Sequence, residues 1–301
     1  MRRFLSLLFA PLILLQSVIS FAEDELPAML IRIPASIDTL FIAETSTSAF
    51  YRFERVADEV VSSGSYSMSI GQKGAGKERS GDKRTPLGAY FVTEQLDTSK
   101  LHEKYGVTAF PLDYPNEWDR RAARDGDGIW VHGVLAGGEP RPPLDTDGCI
   151  ALSNETLLML APSFVDNVTP VLVTRKVDWI KPADTAALRA ELEASIAAWA
   201  SSQTEGDLYS YLSLYDENFS RWGMDKAEWS SLALEALRRR AEHTVSVSDL
   251  LLVAYPEEDR VFLSRFRVTV VERETETVTS GRLYWRRNDG GALKIIAEDQ
   301  G

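Results

Sequence analysis

The pattern of apolar and polar positions divides the chain in two. From Thr39 to about residue 176, short runs of β-branched and aromatic residues recur between turns rich in Gly, Pro and Ser, which is the period-two signature of strands. Residues 39–44 and 48–54 read as a strand pair around a polar turn at 45–47. Runs 59–63, 66–70, 89–94, 129–133 and 169–175 add further strands, and 155–160 reads as a short helix capped by Ser153 or Asn154. Residues 28–36 read as a connector. After 179–184 the spacing becomes helical: Leu188, Leu192, Ile196 and Trp199 mark a helix over 185–201, and 208–215 and 226–242 give two more. Four strands follow at 245–254, 261–271, 277–287 and 293–297. The expectation is a mainly-β domain over 28–176, a linker over 177–184, and an α+β domain over 185–301.

The first 22 residues depart from this pattern. Arg2 and Arg3 precede an apolar run, and Ser20-Phe21-Ala22 supplies a small-x-small cleavage site, so 1–22 reads as a secretory signal with the mature chain beginning near Glu23. Pro11, Gln16 and Ser17 interrupt the run, which is short for a bilayer span. No later stretch is apolar enough to cross a membrane, so the mature chain is expected in the periplasm without a transmembrane segment. A net charge of −12 argues against nucleic acid as a partner. The single cysteine allows no internal disulfide, so the fold must stand on its hydrophobic core.

The chemistry concentrates in residues 129–154, which hold that cysteine, Cys149, and His132, one of only three histidines. An odd thiol in an exported chain is a buried filler, a partner-linking group or a nucleophile. A nucleophile needs a base, and His132 is placed for it, at the end of an apolar strand and before Gly133, whose missing side chain admits another backbone. Gly148 lets backbone amides converge, so Gly148 and Cys149 are the expected donors to an oxyanion. His132 has two other readings, a strand-end histidine bonded to backbone and a metal ligand. Metal is disfavoured because His102 and His243 lie in other segments and one thiol cannot build a thiolate site, so neither metal nor cofactor is expected. Residues 71–78 approach a phosphate-binding loop but place Glu78 where Ser or Thr belongs, and read as a flexible, solvated loop. Phe110, Tyr114 and Trp118 either wall a cleft or pin an irregular loop to the sheet.

Thr146-Asp147-Gly148-Cys149-Ile150, preceded by Trp130-Val131-His132-Gly133, resembles the signature of the L,D-transpeptidase (YkuD-type) catalytic domain. The run 82–90, with Thr85-Pro86-Leu87-Gly88, and the run 112–116 resemble two further elements of that family, and the resemblance covers roughly 37–175. It implies Cys149 as nucleophile and His132 as base on peptidoglycan stem peptides, through a thioester passed to an amine acceptor. Water as acceptor would make the protein an L,D-carboxypeptidase instead, and loss of activity would leave a peptidoglycan-binding or scaffold protein. Two positions depart from the family pattern. Asp147 stands where a histidine usually precedes Gly-Cys, and Ala151 where many members carry Arg or Asn, which leaves the grip on a substrate carboxylate to Arg84 or Arg141. Gly133, Thr146, Asp147 and Tyr114 complete the expected substrate-binding set. Residues 185–301 resemble the nuclear transport factor 2-like fold, with Trp199, Tyr209, Tyr215 and Phe219 as core or pocket lining and a protein or small ligand as partner. Some peptidoglycan L,D-carboxypeptidases combine the two domains in this order.

Overall fold

A computed structural model of the chain describes residues 25–138, 141–239 and 243–300; the leader expected at 1–22 lies outside the described residues. The main sheet of the first half runs in the order Glu59–Ser67, Ala49–Val56, Thr39–Glu44, Pro170–Thr174, Gly88–Phe91. Thr39–Glu44 is buried at every position. A strand reaches that state only in the middle of a sheet covered on both faces. Alternation sends Phe41 and Ala43 to one side and Leu40 and Ile42 to the other. On the first side lies a smaller sheet of Ile150–Ala151, Trp130–His132 and Ala109–Pro111. The Phe164 ring joins the two layers, stacked 4.5 Å from Phe41 and 4.3 Å from Phe110.

The second half supplies what covers the other side. Its seven-stranded sheet runs Met224–Asp225, Tyr215–Arg221, Leu293–Asp299, Thr275–Arg287, Val261–Glu272, His243–Ala254, Leu30–Arg32. Helix Ala186–Thr204 packs on one face through Leu192, Ile196 and Trp199, against Leu252, Phe266 and Trp285. From the opposite face Leu251, Val253, Leu263 and Ile296 meet Leu40, Ile42, Phe91 and Leu172 in one continuous core. Trp118 closes this seam, its ring 5.6 Å from Tyr255 and 6.1 Å from Tyr284, its indole N–H donating to Glu258 Oε1 at 3.1 Å. Around the seam Asn116 Nδ2 donates to Tyr255 Oη at 3.0 Å, and Glu257 accepts from Thr174 Oγ1 and the Arg175 amide at 2.9 and 2.7 Å.

Several expectations are corrected here. The connector at 28–36 contributes Leu30–Arg32 to the second sheet, antiparallel to His243–Ala254, and in the linker Trp179–Ile180 pairs with Leu26–Pro27. Tyr215 opens a strand, not a helix end: Tyr215–Arg221 lies parallel to Leu293–Asp299, and its polar middle hid the two inward residues, Tyr215 and Phe219. Tyr209 is 86% exposed, so of the four aromatics assigned to core or pocket it alone stands outside. The solvated reading of 71–78 fails at Lys77, which is buried with Nζ donating to Arg79 O and Asp82 Oδ1 at 3.0 and 2.9 Å. Phe110 and Trp118 pin their segments to the core instead of walling a cleft. No helix among the described residues is long and apolar enough to cross a membrane.

Candidate active site

The site follows from one strand pairing. Ile150–Ala151 runs parallel to Trp130–His132 with Ile150 opposite Val131 and Ala151 opposite His132. Val131 and Ile150 point into the core and are fully buried. Alternation therefore turns Trp130, His132, Ala151 and, one step further back, Cys149 to the other face. There His132 and Cys149 line one cavity of about 320 Å³ together with Lys104, Tyr105, Arg141 and Asp147.

Local bonds shape the turn that presents Cys149. The Thr146 hydroxyl donates to the Cys149 carbonyl at 2.7 Å and accepts from the Gly148 amide at 3.1 Å. Gly148 has φ 131°, and a Cβ there would sit 2.8 Å from the Arg84 carbonyl oxygen, so only glycine fits. The thiol is 9% exposed and donates to the Gly128 carbonyl at 3.3 Å. Burial pushes its pKa up, against the Trp130 backbone and the Lys104 charge.

The imidazole is set with equal care. His132 Nδ1 lies 2.6 Å from the Gly133 carbonyl oxygen. A carbonyl can only accept, so Nδ1 carries the proton and Nε2 keeps its lone pair. Burial drives the His132 pKa down to about 4 against the pull of that carbonyl. Tyr105 holds the ring edge-on at 5.2 Å and itself packs 4.6 Å from Trp130. At neutral pH Cys149 is thus a thiol and His132 a neutral imidazole, both on the wall of one cavity. Among the described residues no group of three or more His, Cys, Asp or Glu is placed to hold a metal ion.

The remaining nominated residues fall into three groups. Asp147 lines the cavity with its side chain 63% exposed, between Lys83 at 3.6 Å and Lys104 at 3.7 Å. Arg141 also lines it, but its Nε is bonded to Asp145 Oδ2 at 2.8 Å and its Nη2 to the Asp145 carbonyl at 2.7 Å. Gly133 and Thr146 position their neighbours, Gly133 by accepting from His132 and Thr146 by tying the turn. Arg84 and Tyr114 are corrections. The Arg84 guanidinium donates to the Ala75 carbonyl and only its backbone abuts the Cys149 turn, whereas Tyr114 is buried with its hydroxyl on the Asp125 carbonyl. The Gly148 amide, nominated for an oxyanion, is already engaged by Thr146.

Sequence reasoning passed over Lys104 and Tyr105, and gave Asn154 only a helix cap. Asn154 Oδ1 accepts from the Val134 and Val107 amides at 3.0 and 3.3 Å, and Nδ2 donates to the Val134 carbonyl at 2.7 Å, clamping the strand end that carries His132 and Gly133. A Cβ on Gly133 would lie 2.3 Å from that Oδ1, which explains the glycine. Asn154→Ala is expected to destabilise the protein by about 1–3 kcal/mol, because it strands two amides and a carbonyl. Urea unfolding measures this, and a midpoint equal to wild type would show that the clamp carries no weight.

Residues 40–173 match the family of L,D-transpeptidase catalytic domains, YkuD, and residues 191–299 match the C-terminal NTF2-like domain of Cds6. Two solved structures are similar over both halves. Bd1075 from Bdellovibrio bacteriovorus aligns with a TM-score of 0.75 at 24% identity, covering 92% of this chain and 98% of its own. The helical cell shape determining protein Pgp2 from Campylobacter jejuni aligns with a TM-score of 0.76 at 24% identity, covering 91% and 95%. At this identity the likeness is one of fold. No curated protein matches the sequence.

Proposed function

We propose that this chain, which joins a YkuD-type L,D-transpeptidase catalytic domain to an NTF2-like domain, is an exported, periplasmic enzyme that remodels peptidoglycan stem peptides through a thioester on Cys149. The observation that carries the reading is the placement of a buried Cys149 thiol and a neutral His132 on the wall of one cavity, the imidazole oriented by Gly133. In the first step Nε2 of His132 takes the thiol proton as sulfur attacks the carbonyl carbon between the L-centre of diaminopimelate and the terminal D-alanine. The raised thiol pKa and lowered imidazole pKa keep the resting pair neutral, so proton transfer accompanies attack. The Cys149 amide faces the developing oxyanion, with Gly148 joining if Thr146 releases it. The proton then passes from His132 to the departing amine, D-alanine leaves, and the acyl group stays on sulfur.

The acceptor decides the product. A second cavity of about 390 Å³, lined by Ser67, Met68, Ala151 and Leu152, shares Arg141 with the first. That space beside the thioester favours a second stem peptide, whose amine would attack, return its proton through His132 and form a cross-link. Pgp2, similar in fold over both domains, determines helical cell shape, and we extend a role in cell-wall shape to this chain. Incubating purified muropeptides with the mature protein and resolving products by mass spectrometry tests the proposal. Direct diaminopimelate-linked dimers support transpeptidation. Shortening of tetrapeptides to tripeptides without dimers would assign an L,D-carboxypeptidase, and an unchanged profile would leave a binding or scaffold protein.

The His132 pKa of about 4 also predicts the acid limb of activity. The imidazole must be unprotonated to accept, so kcat/KM should hold as pH falls through 6.5 and decline only near about 4. An acid limb centred near 6.5 would contradict the buried, neutral imidazole. The same depression affects stability: between about 4 and 6.5 the unfolded histidine binds a proton that the folded one does not, so this group's contribution to stability falls as pH falls through that window.

A further inference from the structure

An enzyme that releases a terminal amino acid must hold a free carboxylate close to its nucleophile. Neither Arg84 nor Arg141 is available for this: the first lies outside the cavity and the second is held by Asp145. The cations that line the cavity among the described residues are Lys77, Lys104 and Arg141. Lys77 is 3% exposed at its side chain and held by Asp82 and the Arg79 carbonyl. Lys104 is neither buried like Lys77 nor held close like Arg141. Its side chain is 48% exposed, and its ion-pair partner among the described residues, Asp147, stands 3.7 Å away and is itself 63% exposed. Such a loose, solvated pair is worth little and exchanges readily for another carboxylate.

The backbone of Lys104 is nonetheless fixed. It belongs to the short turn Glu103–Tyr105, where the His102 ring accepts from the Lys104 amide at 3.1 Å. The next residue, Tyr105, is the one that packs on His132 and Trp130, and the Lys104 ammonium lies 5.0 Å from its ring centre. One turn therefore sets both the imidazole and the ammonium. Resting on the proposed activity, we propose that Lys104 is the specificity-determining residue that binds the terminal carboxylate of the peptide being cleaved, with Asp147 occupying it until substrate arrives. Asp147, where the family signature has a histidine, then acts as a resident competitor that keeps small anions off the lysine.

The test compares two synthetic tetrapeptide stems, one ending in a free D-alanine carboxylate and one in D-alanine amide, on the full mature protein. Lys104→Gln should raise KM for the acid about tenfold with little change in kcat, and leave KM for the amide unaltered. Lys104→Arg should retain the preference for the acid, and Asp147→Asn should lower KM for the acid by removing the competitor. The exposure of both side chains makes loss of folding an unsuitable explanation, and a melting curve checks it. Equal losses of Lys104→Gln on the two peptides, or none on either, would overturn the assignment. If the wild-type protein turns over neither peptide, the proposed activity fails, and this inference fails with it.

Discussion

Cys149→Ser is expected to reduce release of D-alanine from stem tetrapeptides by about 10⁴-fold or more, because a covalent route loses its only thiol nucleophile. Serine can keep the donation to the Gly128 carbonyl, so the fold and the cavity should persist. The loss would then be chemical. A neutral imidazole with a pKa near 4 is a weak base for a hydroxyl, which has no accessible anion at neutral pH. His132→Gln should lower the rate by roughly 10²–10⁴-fold, the range typical of a missing general base, and combining the two changes should add little. A coupled D-alanine assay with a thermal melt of each variant gives the numbers. Activity of Cys149→Ser within about tenfold of wild type would mean that the acyl group is never carried on sulfur.

The second large effect concerns the seam between the halves. A protein ending at residue 184 is expected to aggregate instead of yielding a folded catalytic domain. Removing the second half strips the cover from Leu40, Ile42, Phe91, Leu172 and Trp118, and leaves one face of the main sheet as a contiguous apolar surface. It also removes His243–Ala254, the partner of Leu30–Arg32, and the glutamates that hold Trp118, Thr174 and Arg175. Sedimentation of the truncated protein reads this directly. A milder probe, Trp118→Ala in the full chain, should cost about 3–5 kcal/mol in urea unfolding, with both halves melting together. A soluble, monomeric and active truncated protein would show that the seam is an optional contact.

Much of this was legible in the residues. Trp130–His132 could be placed from its apolar alternation and the Gly148-Cys149 turn from its glycine, and their meeting in one cavity follows from the two short strands pairing in parallel. The helical spacing of Leu192, Ile196 and Trp199 likewise located the helix that covers the second sheet. What escaped depends on partners distant in sequence. Thr39–Glu44 carried a visible sign of double burial in its unbroken apolar run, but no local pattern names Leu251 or Ile296 as its cover. Leu30–Arg32 looked like a connector because a three-residue strand has too little alternation to read. Lys104 and Tyr105 sit in a polar turn, and only the fold brings that turn against His132. Lys77 appeared solvated because a lysine among glycines gives no hint of the Asp82 carboxylate that pairs with it.

Whether Cys149 carries the acyl group is read by intact-protein mass spectrometry after brief exposure of the protein to a stem tetrapeptide and acid quench, followed by peptide mapping. The expected result is an adduct equal to the peptide less D-alanine, located on Cys149, labile to hydroxylamine, and absent from Cys149→Ser. Turnover of the tetrapeptide with no adduct on Cys149, or an adduct mapped to another residue, would contradict it.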